Sequence, residues 1–132
     1  MSQENEKIVE RAVAAFNRRD GEAFLALVTA DFEWVPSMSP IEGGTFIGPD
    51  GVRRYFAALA AAWEHFQIFP TELRNHECGV LLLARLEGRG RGSGATIDAA
   101  LGMAYDIRDG RISRIRGYLD QVDALKAVGL EE

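Results

Sequence analysis

The sequence predicts an α+β domain: a cone of three N-terminal helices packed on a strongly curved, mostly antiparallel sheet, with a short C-terminal helix. Three observations carry this. Apolar residues recur at helical spacing through the first half of the chain, most clearly in residues 49–63. Four strand-like segments then follow one another through short turns. Helices first and a meander afterwards place the helices on one face of a sheet. At 132 residues the chain has room for one core and not for two, so residues 1–132 are expected to form a single domain.

The elements follow in order. In "SQENEKIVERAVAAFNRRD", Ile8, Ala12, Val13 and Phe16 form one stripe, and Ser2 is the expected N-cap. A second helix restarts at Asp20 in "DGEAFLALVTA", burying Phe24, Leu27 and Val28. "DFEWVPS" alternates as a strand, with Phe32, Trp34 and Pro36 on one face and Glu33 and Val35 on the other. The loop "MSPIEGGTFIGPDG" is punctuated by Gly, Pro and Asp. A third helix begins near Pro49-Asp50, with Val52, Tyr55, Phe56, Leu59 and Trp63 on its stripe. The strands expected next are "FQIFPTELRNHE", "CGVLLLARLEGRG", "GATIDAALGMAYDIR" and "GRISRIRGYL". "DQVDALKAVGL" is a last helix, stopped by Gly129.

Bulk properties narrow the function. A 47% hydrophobic content excludes disorder, and a net charge of -5 with scattered arginines argues against nucleic acid as a partner. The single cysteine, Cys78, forms no internal disulfide. The N-terminus has no apolar signal region, and no segment approaches the ~20 apolar residues of a membrane span. A cytoplasmic protein with no membrane partner is expected. No metal site is expected either: His76 and Cys78 share strand spacing but make only two ligands, without a paired-Cys or His-Glu-x-x-His motif. "GRGRGSG" lacks the strand-to-helix context of a phosphate loop and reads as a hairpin turn.

"YDIRDGRISRIRGYLD" concentrates the tempting chemistry, and its faces depend on the turn at Asp109-Gly110. A two-residue loop pairs Arg108 with Arg111 and sets Arg114 and Arg116 among Leu101, Met103 and Tyr105. Unpartnered buried arginines cost several kcal/mol each. A three-residue loop with Gly110 left-handed pairs Met103 with Ile115 and Leu101 with Gly117. It leaves Asp98, Asp106, Arg114, Arg116 and Tyr118 on the opposite face, so this register is preferred. The stretch then reads as the charged back of a hairpin.

The order of elements, with "AVAAFNRRDGEAFLALVTADFEW", "FIGPDGVRRYFAALAAAW" and "IRDGRISRIRGYLDQVDALKAVGL", resembles the SnoaL-like branch of the nuclear transport factor 2-like superfamily over nearly the whole chain. The resemblance implies a cone enclosing a pocket. It does not fix the chemistry, because the fold hosts ketosteroid isomerase, polyketide cyclases, epoxide hydrolases, dehydratases and non-catalytic members. Ketosteroid isomerase uses an Asp base with a Tyr and a protonated Asp as oxyanion donors. The matching positions here hold Pro36, Ala12 and Met103, and the cyclase acid-base Asp also falls at Met103. None of these moves a proton.

Strand parity and the helix stripe assign Trp34, Phe56, Leu59, Trp63, Leu101, Met103, Ile115 and Leu119 to the pocket face, where they either line a cavity or fill the core. Three polar residues are candidate catalytic groups. Arg85 stands in an otherwise apolar strand; it either snorkels to solvent near the strand end or, if buried, serves as an anion or oxyanion partner. Tyr105 shares the parity of Met103 and reaches either the pocket mouth or a backbone carbonyl. Glu33 points outward by parity but is the carboxylate nearest the missing base. The expected function is a pocket for a small hydrophobic, cyclic ligand, with cofactor-independent isomerase, cyclase or hydrolase chemistry if catalytic. The alternative is a non-catalytic binding or assembly domain. A homodimer through the convex sheet face is expected from the small residues Ala100, Gly102 and Ala104 beside Arg114, Arg116 and Tyr118.

Overall fold

The computed structural model describes residues 2–36 and 45–130. The side chain of Ser2, the expected N-cap, and residues 37–44 of the loop after the first strand lie outside the described residues. The elements run α1 (Ser2–Arg18), α2 (Gly21–Leu25), β1 (Val28–Val35), β2 (Phe46–Ile47), α3 (Gly48–Ala62), β3 (Trp63–His76), β4 (Gly79–Gly90), β5 (Thr96–Arg108), β6 (Arg111–Tyr118) and α4 (Gln121–Ala127). The six strands form one sheet in the order β2-β1-β6-β5-β4-β3. All pairings are antiparallel except β1 with β6. The expected α+β architecture and its mostly antiparallel sheet are present.

Two helix ends differ from the sequence reading. α2 stops at Leu25, and Val28–Ala30 join β1 instead. The reason is a neighbour: Val28 pairs with Ile112 of β6, and the Ile112 amide donates to the Leu27 carbonyl at 2.8 Å. The tertiary partner overrides local helix propensity. α3 stops at Ala62, and Trp63 is already extended at φ -126, ψ 130. Trp63 and His65 therefore belong to β3, which pairs with β4 from Trp63 opposite Gly90 onward.

The hairpin resolves into a combination of both registers considered for it. Asp109 and Gly110 both have positive φ (55 and 77), as a two-residue type I′ turn requires, so Arg108 pairs with Arg111 and Ile107 with Ile112. The expected three-residue loop is absent. A bulge between Asp106 and Ile107 then shifts the ladder, giving Asp106 opposite Arg114, Tyr105 opposite Ile115 and Met103 opposite Gly117. Met103 does not face Ile115, as the sequence reading had it. The bulge lies two rungs from the turn and restores the parity that the longer loop was expected to supply. Ile112 and Ile115 both reach the interior, and the arginines stay outside.

The inner face of the sheet carries Phe32, Trp34, Val80, Leu82, Ala84, Leu86, Leu101, Met103 and Tyr105 against the stripes of α1 and α3. Aromatic rings dominate the centre: Phe24 stacks on Trp34 at 4.9 Å and 8° between planes, and Tyr55 lies 4.2 Å from Trp34. The outer face has its own small cluster, Leu81, Leu83, Ala104 and Ala124. Here α4 lies on the sheet so closely that a Cβ on Gly102 would come within 2.4 Å of the Ala124 Cβ. Gly102 and Ala104, expected to admit a second subunit, thus receive the chain's own C-terminal helix.

Candidate functional site

The cone holds a narrow slot between α1, α3 and the inner face of the sheet. Phe16 of α1 and Tyr55 of α3 form one wall; Trp34 and Pro36 come from β1 and the residue after it. Phe66, Ile68 and Leu86 of the β3–β4 pair, with Leu101, Met103 and Gly117 of the β5–β6 pair, complete it. The slot is about 20 Å³ at its centre, space for about one water, within a recess of about 360 Å³ that includes solvent.

The end of α1 is fastened beside the slot by side chains. Asn17 acts as one rung of a ladder on edge strand β3: its Nδ2 donates to the Ile68 carbonyl at 2.9 Å, and its Oδ1 accepts from the Ile68 amide at 3.0 Å. Arg19, left-handed at φ 58, donates from Nη1 to the Phe16 carbonyl and from Nη2 to the Phe66 carbonyl, each at 2.7 Å. Its guanidinium lies 5.0 Å from the centre of the Phe16 ring. The two wall residues Phe16 and Phe66 are thereby held together at the backbone.

Among the described residues that line the slot, Tyr55 and Trp34 are the ones whose side chains carry a hydrogen-bond donor. Burial pushes the Tyr55 phenol well up from its usual value, and the Arg19 charge opposes this only in part. Tyr55 is therefore a neutral hydroxyl across the physiological range. Among the described residues, no carboxylate, histidine or lysine lines the slot.

The sequence-derived site residues scatter. Trp34, Leu101 and Met103 line the slot. Leu59 and Ile115 are buried in the surrounding core, Phe56 packs partly buried against it, and the Trp63 ring lies tilted against Phe66 with ring centres 5.2 Å apart. Leu119 lies beyond the end of β6 and is 51% exposed, so it is no part of the pocket face. Tyr105 is buried on the inner face, and its hydroxyl donates to the Met103 sulfur at 3.8 Å rather than reaching a pocket mouth. Arg85 is on the outer face, where it is half exposed and paired with Asp98. It is not a buried cation and does not enter the cone. Glu33 also faces outward, 3.9 Å from Arg114.

The charged hairpin back forms its own cluster outside the cone. Arg114 reaches Asp106 at 3.1 Å, Arg116 approaches it at 3.6 Å, and Arg116 donates to the Tyr118 hydroxyl at 3.4 Å. Sequence reasoning passed over three residues that shape the slot. Tyr55 scored only as an apolar point on a helix stripe, while Asn17 and Arg19 looked like an ordinary polar helix end.

Among curated proteins, none matches the sequence. Solved structures resemble it closely in fold. A nuclear transport factor 2-like protein of unknown function from Burkholderia pseudomallei K96243 is 21% identical, with a TM-score of 0.79 over 95% of this chain and 97% of that one. A candidate polyketide cyclase from Xanthomonas campestris pv. campestris is 20% identical, with a TM-score of 0.78 over 98% and 97%. A protein of ketosteroid isomerase-like fold from Catenulispora acidiphila DSM 44928, in complex with trimethylamine, is 21% identical, with a TM-score of 0.75 over 93% and 92%. The SnoaL-like domain model matches residues 9–115. With its helical cone, its curved sheet and this match over most of its length, the chain belongs to the SnoaL-like domain family, of nuclear transport factor 2-like and ketosteroid isomerase-like fold.

Proposed function

We propose that the protein binds a small, flat, hydrophobic cyclic ligand in the cone and that binding, rather than proton-transfer catalysis, is its activity. One observation carries this reading: the slot is walled by aromatic and aliphatic side chains, and among the described residues that line it none is a carboxylate, histidine or lysine. The candidate polyketide cyclase among its structural neighbours supports a cyclic ligand. A ligand larger than water enters by displacing wall side chains, and the unbranched thioether of Met103 is the most adaptable of them.

Trp34 supplies the assay. It lines the slot, whereas Trp63 packs on Phe66 outside the lining set. In a Trp63→Phe background, titration with bicyclic aromatic compounds should shift or quench the Trp34 emission in a saturable way. Leu101→Phe, which fills the slot, should abolish that response while the fold remains. An emission unchanged by every compound of this class would remove the reading.

The same proposal includes a homodimer formed through the part of the outer face that α4 leaves uncovered. There Phe69 (44% exposed), Arg85 and Ala100 form one cross-strand row, and exposed Leu119 and Val122 flank the start of α4. Large apolar groups beside an arginine suit a self-complementary patch. Light scattering at micromolar concentration should return twice the chain mass, and Phe69→Glu should return the monomer. A wild-type monomer throughout this range would dismiss the interface.

A further inference from the structure

We infer that the protein carries a second ligand site outside the cone: a basic groove along α1 that takes a soluble phosphate monoester with an apolar chain. None of its lining residues lines the slot, so the two sites stand or fall separately.

The groove lies between the N-terminal half of α1, the turn after α2 and the tip of the β5–β6 hairpin. Lys7, Ile8 and Arg11 line it from α1, Ala26 and Leu27 from the turn, and Gly110 and Arg111 from the hairpin. It encloses about 620 Å³ open to solvent, within the ~300–1,000 Å³ of small-molecule sites. The slot in the cone has about 20 Å³ at its centre. Two walls of the groove are tied at the backbone, because the Ile112 amide, next to Arg111, donates to the Leu27 carbonyl at 2.8 Å.

The charges in the groove are unanswered. The chain has 20 acidic residues against 15 basic ones, so its arginines have carboxylates to choose from. Arg18, Arg85, Arg108 and Arg114 take one, and Arg19 and Arg91 take backbone carbonyls. Among the described residues, the side chains of Arg11, Arg89 and Arg111 have no hydrogen bond, ion pair or ring contact. Two of these three line the groove, beside Lys7. Glu4 is the one carboxylate among the described lining residues, which leaves an excess of two positive charges. A phosphate monoester carries about −1.5 to −2 at pH 7 and matches that excess, whereas a carboxylate leaves half of it. Arginine forks also grip phosphate oxygens in pairs.

An adjoining recess of about 250 Å³ shares Arg11 and Leu27 and continues along α1 over Ala14 and Ala23. Its other cation, Arg18, lies 3.4 Å from Asp20, so that charge is already answered. The groove therefore has a positive end and an alanine and leucine floor leading away from it. From Lys7 to Arg18 the helix rises about 16 Å, room for a phosphate and an eight-carbon chain.

Calorimetric titration with octyl phosphate, below the concentration at which it forms micelles, tests the site against inorganic phosphate and octanol. Octyl phosphate should bind at one site per chain, at least tenfold more tightly than either fragment. Arg11→Gln and Arg111→Gln should each weaken it about tenfold, the size of one charge-assisted hydrogen bond. Ala26→Glu, which sets a negative charge on the groove, should weaken it as much. All three positions are exposed, so the fold should persist. Amide resonances of Leu27 and Gly110 should shift on binding, and Leu101→Phe should change nothing. Octyl phosphate binding that is absent, no tighter than that of inorganic phosphate, or indifferent to all three variants overturns the inference and leaves the cone untouched. Binding lost in Leu101→Phe places the compound in the cone and overturns the groove. Binding of phosphatidylglycerol vesicles without binding of octyl phosphate makes the groove a membrane contact and overturns the soluble ligand.

Discussion

Replacing Gly79 by alanine is expected to lower the unfolding free energy by about 3 kcal/mol, the upper end of what overpacking costs. For a chain of this length that corresponds to roughly 10 °C in melting temperature. Gly79 opens β4 after the tight turn at Glu77-Cys78 and pairs with both His76 and Asp106. The Ile107 amide donates to the Cys78 carbonyl at 2.9 Å, which draws β5 across the turn. A Cβ at Gly79 would lie 2.0 Å from the Tyr105 carbonyl oxygen and 3.1 Å from the Ile107 nitrogen. Both are backbone atoms, so no side chain can move away to make room; the β4–β5 ladder must shift at its start. Gly21→Ala is the contrast. There the new Cβ would meet only the Phe56 ring, at 3.5 Å, in the first turn of α2. It should be neutral, or stabilising by up to ~1 kcal/mol through helix propensity. Urea unfolding of the two variants checks the pair. A Gly79→Ala midpoint equal to that of wild type would mean that the β5 backbone does not approach Gly79 in this way.

The order of elements and the faces of the strands were legible in the sequence because both follow from apolar periodicity. The hairpin shows how far that goes. Periodicity required Leu101, Met103, Tyr105 and Ile115 to share a face, and they do. Two devices satisfy that requirement equally well, a longer loop or a bulge further along. The Asp-Gly turn chemistry favours the two-residue loop, so the bulge had to supply the shift. Arg85 was misleading for a different reason. β4 is apolar on both faces from Val80 to Ala84, which raised the possibility that Arg85 was buried. The outer face is apolar only under α4, where Leu81 and Leu83 meet Ala124. Arg85, one step further along that face, pairs with Asp98 in solvent. Single-strand patterns carry no record of where a distant helix stops covering the sheet.

The candidate site was less legible than the fold. Trp34, Leu101 and Met103 followed from parity, since a residue on the inner face near the strand crossing has nowhere else to go. Leu119 shares their parity, but parity lapses where the strand ends, at Tyr118. Tyr55 was hidden because a helix stripe treats tyrosine as an apolar unit. Arg19 was hidden because its role depends on a left-handed backbone and on a carbonyl 47 residues away.

Purified protein is expected to leave a β,γ-unsaturated ketosteroid unchanged at the background rate. Moving a proton next to a carbonyl requires a base beside the substrate and donors at the enolate oxygen. The positions that resemble those of the isomerase bring Pro36 and Met103 to the slot and pack Ala12 into the core at 1% exposed. A missing base typically costs ~10²–10⁴ in rate, and each missing oxyanion donor ~10²–10³. Tyr55 would recover at most one of these factors, since a neutral phenol held protonated by burial donates to an oxygen but does not abstract a proton. Glu33 is the carboxylate next to Trp34 in sequence, but it faces outward toward Arg114 at 3.9 Å. To act as the base it would have to cross the sheet, which requires a one-residue slip of β1 against β6 and would expel Trp34 from the core. A continuous absorbance assay for the conjugated product decides the matter. Turnover above background that disappears in Glu33→Gln would show that β1 presents its other face to the cone, and the apolar slot described here would then be wrong at its central residue.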